Sequence, residues 1–268
     1  MNYPDQLQSA PMPGRVGQGT AVEQSRAVAE VQAAVLIARQ FPRNEAQAIA
    51  RMRVACSQPE LAQRAFFRFP RGNSQVSGET IQFAKALAGC WGNLQHGLTE
   101  LRRDDEYKQS EMQAWAWDLE SNQRASTTFI VPHARWANNR AQELADFRDI
   151  YENNANNGAR RLREMIFTVL PVWFTEQAKT ICANTLSGAN SDKPRAQRAA
   201  DAIKAFDEIG ITLDQIEAKL GRKSDKWTDP DLGQLQVIYQ SIQRGEATRD
   251  EEFPPKPVTP DELTGGAP

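Results

Sequence analysis

The sequence predicts an α+β fold: mostly helical, with a central three-stranded antiparallel β-meander in an α-β-β-β-α core and a small helical module at the C-terminal end. Two observations carry this. Apolar residues recur at helical spacing up to Cys90, alternate with period two between Asn93 and Val131, and return to helical spacing after Pro132. The connections inside the alternating region, Arg102-Arg103-Asp104-Asp105-Glu106 and Ser121-Asn122-Gln123, are too short for parallel crossovers and suit antiparallel neighbours.

Each element follows from local signals. Residues 1–19, rich in Pro, Gly, Gln and Ser, read as a disordered leader. Thr20 caps a first helix with Val28, Val31, Val35 and Ala38 on one stripe, stopped by Pro42. Asn44 opens a second helix running to about Ala55, and Ser57 with Pro59 and Glu60 starts a short third. Phe66, Phe67, Phe69 and the Pro70-Arg71-Gly72-Asn73 turn break the pattern before a helix from Gly78 to Cys90. Strands are expected over Asn93–Leu101, Glu111–Glu120 and Ala125–Val131. The remainder reads as helices, with stripes Leu144-Phe147-Ile150-Tyr151, Leu162-Met165-Ile166-Val169 and Phe174-Ala178-Ile181-Cys182. Asp192 and Pro194 open another, and two short helices begin at Thr212 and Thr228. The expected division is therefore a leader (1–19), a main domain (20–205), a helical module (206–252) and a disordered tail (253–268).

Composition excludes several classes. At 268 residues and 40% apolar, the chain can build a core. It has no apolar run near the roughly 18–20 residues of a membrane span and no apolar signal-peptide block, so a soluble cytoplasmic protein is expected. Cys56, Cys90 and Cys182 are odd in number and widely spaced, which suits free thiols in a reducing compartment. The net charge of −2 conceals unlike segments. Residues 26–73 carry eight arginines against Glu30, Glu45 and Glu60, or +5, and residues 121–200 carry +4. The region 74–120 and the segment from Glu246 onward are each −4. Two basic stretches and an acidic tail suit phosphate binding by counterion release, or ordinary solvated helix faces.

No catalytic motif is visible. Gly221-Arg222-Lys223-Ser224 shares only the end of a phosphate-binding GxxxxGK[ST] loop, and no GxSxG elbow is present. His96 and His133 do not complete a zinc site with these cysteines. Asp104, Asp105, Glu106 and Asp118 could bind magnesium in a nuclease, or be charged turn residues.

Three clusters instead combine cations with flat side chains. The first is Arg64, Arg68 and Arg71 among Phe66, Phe67 and Phe69; the second is Arg124, His133, Arg135, Trp136 and Arg140. The third is Arg160, Arg161 and Arg163, clear of the apolar stripe of their helix. Guanidinium forks grip phosphates bidentately. Trp115 and Trp117 share one strand face, either as a stacking platform for bases or as core beneath a helix. The candidate DNA-binding residues are Arg68, Arg71, Trp115, Arg124, Arg135, Trp136, Arg140, Arg160, Arg161 and Arg163.

The stretches AEVQAAVLIARQFPRNEAQA, FRFPRG with VSGETIQFAKALAGCWGNLQHG, AWAWDLESN, FRDIYENNANNGARRLREMIFTVLP and FDEIGITLDQIEAKLG with WTDPDLGQLQVIYQSIQRGEATRDEEF resemble phage single-strand annealing proteins of the broad RecT/Redβ class. The resemblance spans about residues 25–253. It implies a non-enzymatic recombinase, independent of ATP and without a cofactor apart from magnesium as a modulator of annealing. It further implies that residues 20–205 bind single-stranded DNA and assemble into rings or helical filaments in the bacterial host cytoplasm. A phage exonuclease and the host single-strand binding protein are the implied partners, the C-terminal module being a partner-binding unit. A metal-dependent nuclease or a purely helical scaffold are the alternative expectations.

Overall fold

The computed structural model describes residues 18–71, 74–137, 140–188 and 192–254. In chain order the elements are α1 (Gln18–Gln40), α2 (Glu45–Cys56), α3 (Pro59–Ala65), β1 (Phe66–Arg71), β2 (Ser74–Glu79), α4 (Ile81–Trp91), β3 (Leu94–Asp104), β4 (Gln109–Asp118) and β5 (Arg124–Pro132). There follow β6 (Ala134–Ala137), β7 (Arg140–Glu143), α5 (Phe147–Val169), α6 (Val172–Leu186), α7 (Arg195–Glu208), α8 (Leu213–Leu220), α9 (Asp229–Gln243) and α10 (Arg249–Glu252). The class is α+β, and β3-β4-β5 form the expected antiparallel meander.

Alternation along β4 decides how the sheet is used. Met112, Ala114, Ala116 and Asp118 are buried, and α5 lies across them. Alanines on this face let the helix approach closely. Its own buried stripe is Ile150, Asn154, Gly158, Leu162, Ile166 and Val169, following the helical repeat. The other face carries Gln95, Gly97 and Thr99 of β3, Gln113, Trp115 and Trp117 of β4, and Arg124, Ser126 and Thr128 of β5, none of them buried. The tryptophans therefore lie opposite the helix, and the expectation of a covering helix there is corrected. Asn122 takes a positive φ of 58° in the β4–β5 turn, which asparagine tolerates, and its side-chain oxygen accepts from Trp117 Nε1 at 3.0 Å.

At Gly158 helix and sheet approach closely. A Cβ there would run into the Leu98 side chain. Alanine in an exposed helix interior gains up to about 1 kcal/mol over glycine. Here overpacking dominates, so Gly158→Ala is expected to destabilise by about 1–3 kcal/mol in urea denaturation.

Two hairpins depart from the sequence reading. The region of Phe66 to Glu79, expected as a broken stretch followed by a helix from Gly78, is the β1–β2 hairpin. Helix α4 begins only at Ile81, where Thr80 Oγ1 accepts from the Phe83 amide at 3.2 Å. The segment after Pro132, expected to be wholly helical, first forms the β6–β7 hairpin. Asp146 then caps α5, its side chain accepting from the Arg148 and Asp149 amides.

At the N-terminal end, α1 starts at Gln18, so Thr20 lies inside the helix rather than capping it. The rest of the expected leader, residues 1–17, lies outside the described residues. Val22, Val28, Val31, Leu36 and Ile37 of α1 are exposed, whereas Ala38 is buried.

The C-terminal helices gather around Phe206, Ile211, Ile216, Trp227, Leu235, Ile238 and Phe253. Ala199 joins them from the same helix as Phe206, so the expected 205/206 boundary falls inside α7. Phe253, expected in the tail, is core; residues 255–268 lie outside the described residues. Capping boxes at Thr212/Gln215, Thr228/Asp231 and Thr248/Glu251 start α8, α9 and α10. The module is seated on the main domain. Ser241 Oγ accepts from the Arg68 amide at 3.2 Å, and Arg244 Nη2 donates to the Phe66 carbonyl at 2.9 Å.

Candidate nucleic-acid interface

The β1–β2 hairpin stands beside α5, and the groove between them brings parts of two sequence clusters together. In the hairpin register Phe67 faces Gly78, and a Cβ on Gly78 would lie 2.9 Å from Phe67 Cζ, so the ring folds over a position that only glycine leaves clear. Arg163 Nη1 donates to the Glu79 carbonyl at 2.8 Å, and its guanidinium carbon lies 5.2 Å from the Phe67 ring centroid. Arg160, one turn earlier, lines the same groove of about 590 Å³, with Val76, Ile81 and Gln82 among the other walls. A guanidinium held by a carbonyl and an aromatic face is preorganised for a planar or anionic ligand.

The arginine rail is split. At about 100° per residue, Arg160 and Arg163 lie about 60° apart around α5, whereas Arg161 points away from both. Arg161 Nη1 pairs instead with Glu164 Oε2 at 3.1 Å. The expectation that the three arginines share one face is thereby corrected.

The other candidates are dispersed. Arg68 lies along β1 where it meets α9, lining a separate, smaller cavity with Gln234 and Val237. Arg71 pairs with Ser74 through its backbone, and its side chain lies outside the described residues. Arg124 is on the open face of the meander, 5.7 Å from the Trp117 ring centroid, with Trp115 on the same face. Arg135 and Arg140 are exposed on the β6–β7 hairpin. Trp136 pairs with Ala141 in that hairpin, its side chain being outside the described residues. Val76 escaped sequence reasoning because Pro70 and two glycines masked the hairpin, and Gln82, in a helix that the sequence did predict, carries neither a charge nor a ring to mark it. The Phe67–Gly78 facing pair was the available clue.

Three of the four acidic residues considered for a metal, Asp104, Asp105 and Asp118, are otherwise engaged, and Glu106 lies exposed in the β3–β4 turn. Asp104 pairs with Arg102 at 2.9 Å and Asp105 with Arg103 at 2.7 Å. Asp118 Oδ2 accepts from Arg43 Nη2 at 2.9 Å and from Trp91 Nε1 at 3.2 Å. Among the described residues no three His, Cys, Asp or Glu side chains come together in a group that could hold a metal ion. His133 is buried, its Nε2 2.9 Å from Ser110 Oγ, which also accepts from Asn154 Nδ2 at 2.9 Å; this network ties β4, α5 and the start of the β6–β7 hairpin together. Gly221 of the fragmentary phosphate-loop motif is the left-handed C-cap of α8, and Lys223 pairs with Glu217 at 2.6 Å.

No family model, curated protein or solved structure matches the chain. Function is therefore inferred from the geometry of the groove and from the sequence resemblance. Among the described residues no helix is long and apolar enough to cross a membrane.

Proposed function

We propose that the chain is a non-enzymatic, ATP-independent protein of phage origin that binds single-stranded DNA and anneals complementary strands in the bacterial host cytoplasm. The observation that carries this reading is the groove lined by Arg160, Arg163 and the Phe67 ring, with Arg163 against that ring and Glu246 as the one acid among the described lining residues. Cations for the phosphates and an aromatic face for a base are what sequence-tolerant binding of a single strand requires. Assembly into a ring or filament is supported by the exposed apolar side chains of α1, which are numerous for one solvent-facing helix. The C-terminal module is the unit offered to a phage exonuclease or the host single-strand binding protein, and magnesium acts only on the DNA.

Mixing complementary dye-labelled oligonucleotides tests the proposal. The protein should accelerate pairing without ATP; no acceleration rejects annealing. In Arg160→Ala/Arg163→Ala, binding should weaken, and the slope of log affinity against log salt should become shallower by about 1.4, or about 0.7 for each phosphate that an arginine no longer neutralises. An unchanged slope removes the groove from the DNA path.

A further inference from the structure

The open face of the meander has the construction of a second binding site. The Trp115 indole lies flat over β3 at Gly97: a Cβ on that glycine would be 2.7–2.8 Å from Cε2, Cζ2 and Nε1 of the ring. One π-face is thus occupied by backbone, and the residue as a whole is half-buried on the face away from α5. Trp117, two residues on and so about 6.8 Å along the strand, is held by its hydrogen bond to Asn122. Both rings are fixed before any ligand arrives, so little rotamer entropy remains to be lost.

The surroundings select the ligand. Arg124 faces Trp117 in the β4–β5 register, is exposed, and makes no ion pair among the described residues. Gln113 and Ser126 flank the rings with amide and hydroxyl groups rather than aliphatic ones. Two half-buried rings on one sheet face at extended-chain spacing, a cation beside one of them and a polar surround match a single nucleic-acid strand with splayed bases better than an apolar helix.

We infer that this face is a second single-stranded DNA site, in which Trp115 and Trp117 stack successive bases and Arg124 meets the phosphate between them. The inference rests on the proposed DNA-binding function and extends it. The groove lies beyond α5 and this platform on the opposite side of the sheet, so α5 as well as the meander stands between the two strands that one chain would hold.

Titration of the full chain with a short labelled oligo-dT at concentrations well above the dissociation constant tests it, with tryptophan fluorescence and sedimentation read in parallel. Wild type should bind two oligonucleotides per chain. Trp115→Leu/Arg124→Glu, where leucine keeps Gly97 covered, and Arg160→Ala/Arg163→Ala should each bind one, and only the latter should retain full quenching of the sheet tryptophans. Val172→Ala, at an exposed side chain of α6, should retain both sites, and urea midpoints of the two double variants close to that of wild type check that losses do not come from misfolding. One oligonucleotide per wild-type chain, unaffected by Trp115→Leu/Arg124→Glu, overturns the platform and leaves the groove standing. A change in oligomer mass with unchanged stoichiometry also overturns it, marking the face as a contact between copies. No binding by wild type rejects the function and the platform together.

Discussion

Replacing Asp118 with alanine is expected to lower stability by about 3–5 kcal/mol, because it takes from a buried cation its nearer carboxylate, 2.9 Å away, and leaves it the more distant Glu120 at 3.7 Å. Asp118 is 3% exposed, and the Arg43 side chain that meets it is 9% exposed. Its carboxylate takes four hydrogen bonds: from Arg43 and Trp91 on one oxygen, and from the Glu120 and Ser121 amides on the other, at 3.0 and 3.3 Å. Arg43 also donates to the Trp91 and Gly92 carbonyls and stacks over Trp91 at 4.2 Å. One ion pair thus fastens the loop after α1, the end of α4 and the end of β4. Replacing both partners by Arg43→Met/Asp118→Leu should cost less than the sum of the single changes in urea denaturation, whereas strict additivity would show that the pair is not coupled. Burial pushes the Asp118 carboxyl up, but the bonds from Arg43, the Glu120 amide and Trp91 outweigh it and hold the group below the usual range. A lowered folded-state value means that the contribution is complete above the unfolded value of about 3.9 and is lost as pH falls through the folded one. Asp118→Asn should therefore flatten the acid limb of the stability profile below about pH 4.

Phe253→Ala should cost a similar amount, about 3–5 kcal/mol, through a cavity in the C-terminal cluster. The ring is 2% exposed and meets Phe206 edge-on with centroids 5.4 Å apart. Its carbonyl also accepts from Gln215 Nε2 at 3.1 Å, tying the segment after α10 to α8. Ending the chain after Glu252 should be at least as damaging. Val172→Ala, at a side chain facing solvent, should change the unfolding midpoint little. Equal effects at the two positions would show that Phe253 is not part of the core.

The meander was legible because period two is unmistakable over ten residues and the turn at Asn122 is short. The side taken by the helix was readable in principle: Ala114 and Ala116 leave room for a helix backbone, while Trp115 and Trp117 do not. The short hairpins were hidden by Pro70 in β1 and by the asparagine-rich sequence around β6 and β7, where strands of four to six residues show no period. Arginines off the apolar stripe of α5 were recognisable, yet being off the stripe leaves most of the helix circumference open, and Arg161 fell on the wrong part of it. Phe253 was obscured by the prolines beside it, since local composition says nothing about the distant Phe206 against which it packs. Arg160 and Phe67 are almost a hundred positions apart, a proximity that only the folded topology supplies.

The β1–β2 hairpin is a party wall. On one side Phe67 lines the groove with Arg163; on the other the Arg68 amide is bonded to Ser241 and the Phe66 carbonyl to Arg244. A displacement of the hairpin cannot be confined to either tenant. Under the proposed function, thermodynamic linkage makes this mutual: a partner that docked on the C-terminal helices and shifted this wall would change the grip on a strand by some factor, and a bound strand would change the grip on that partner by the same factor.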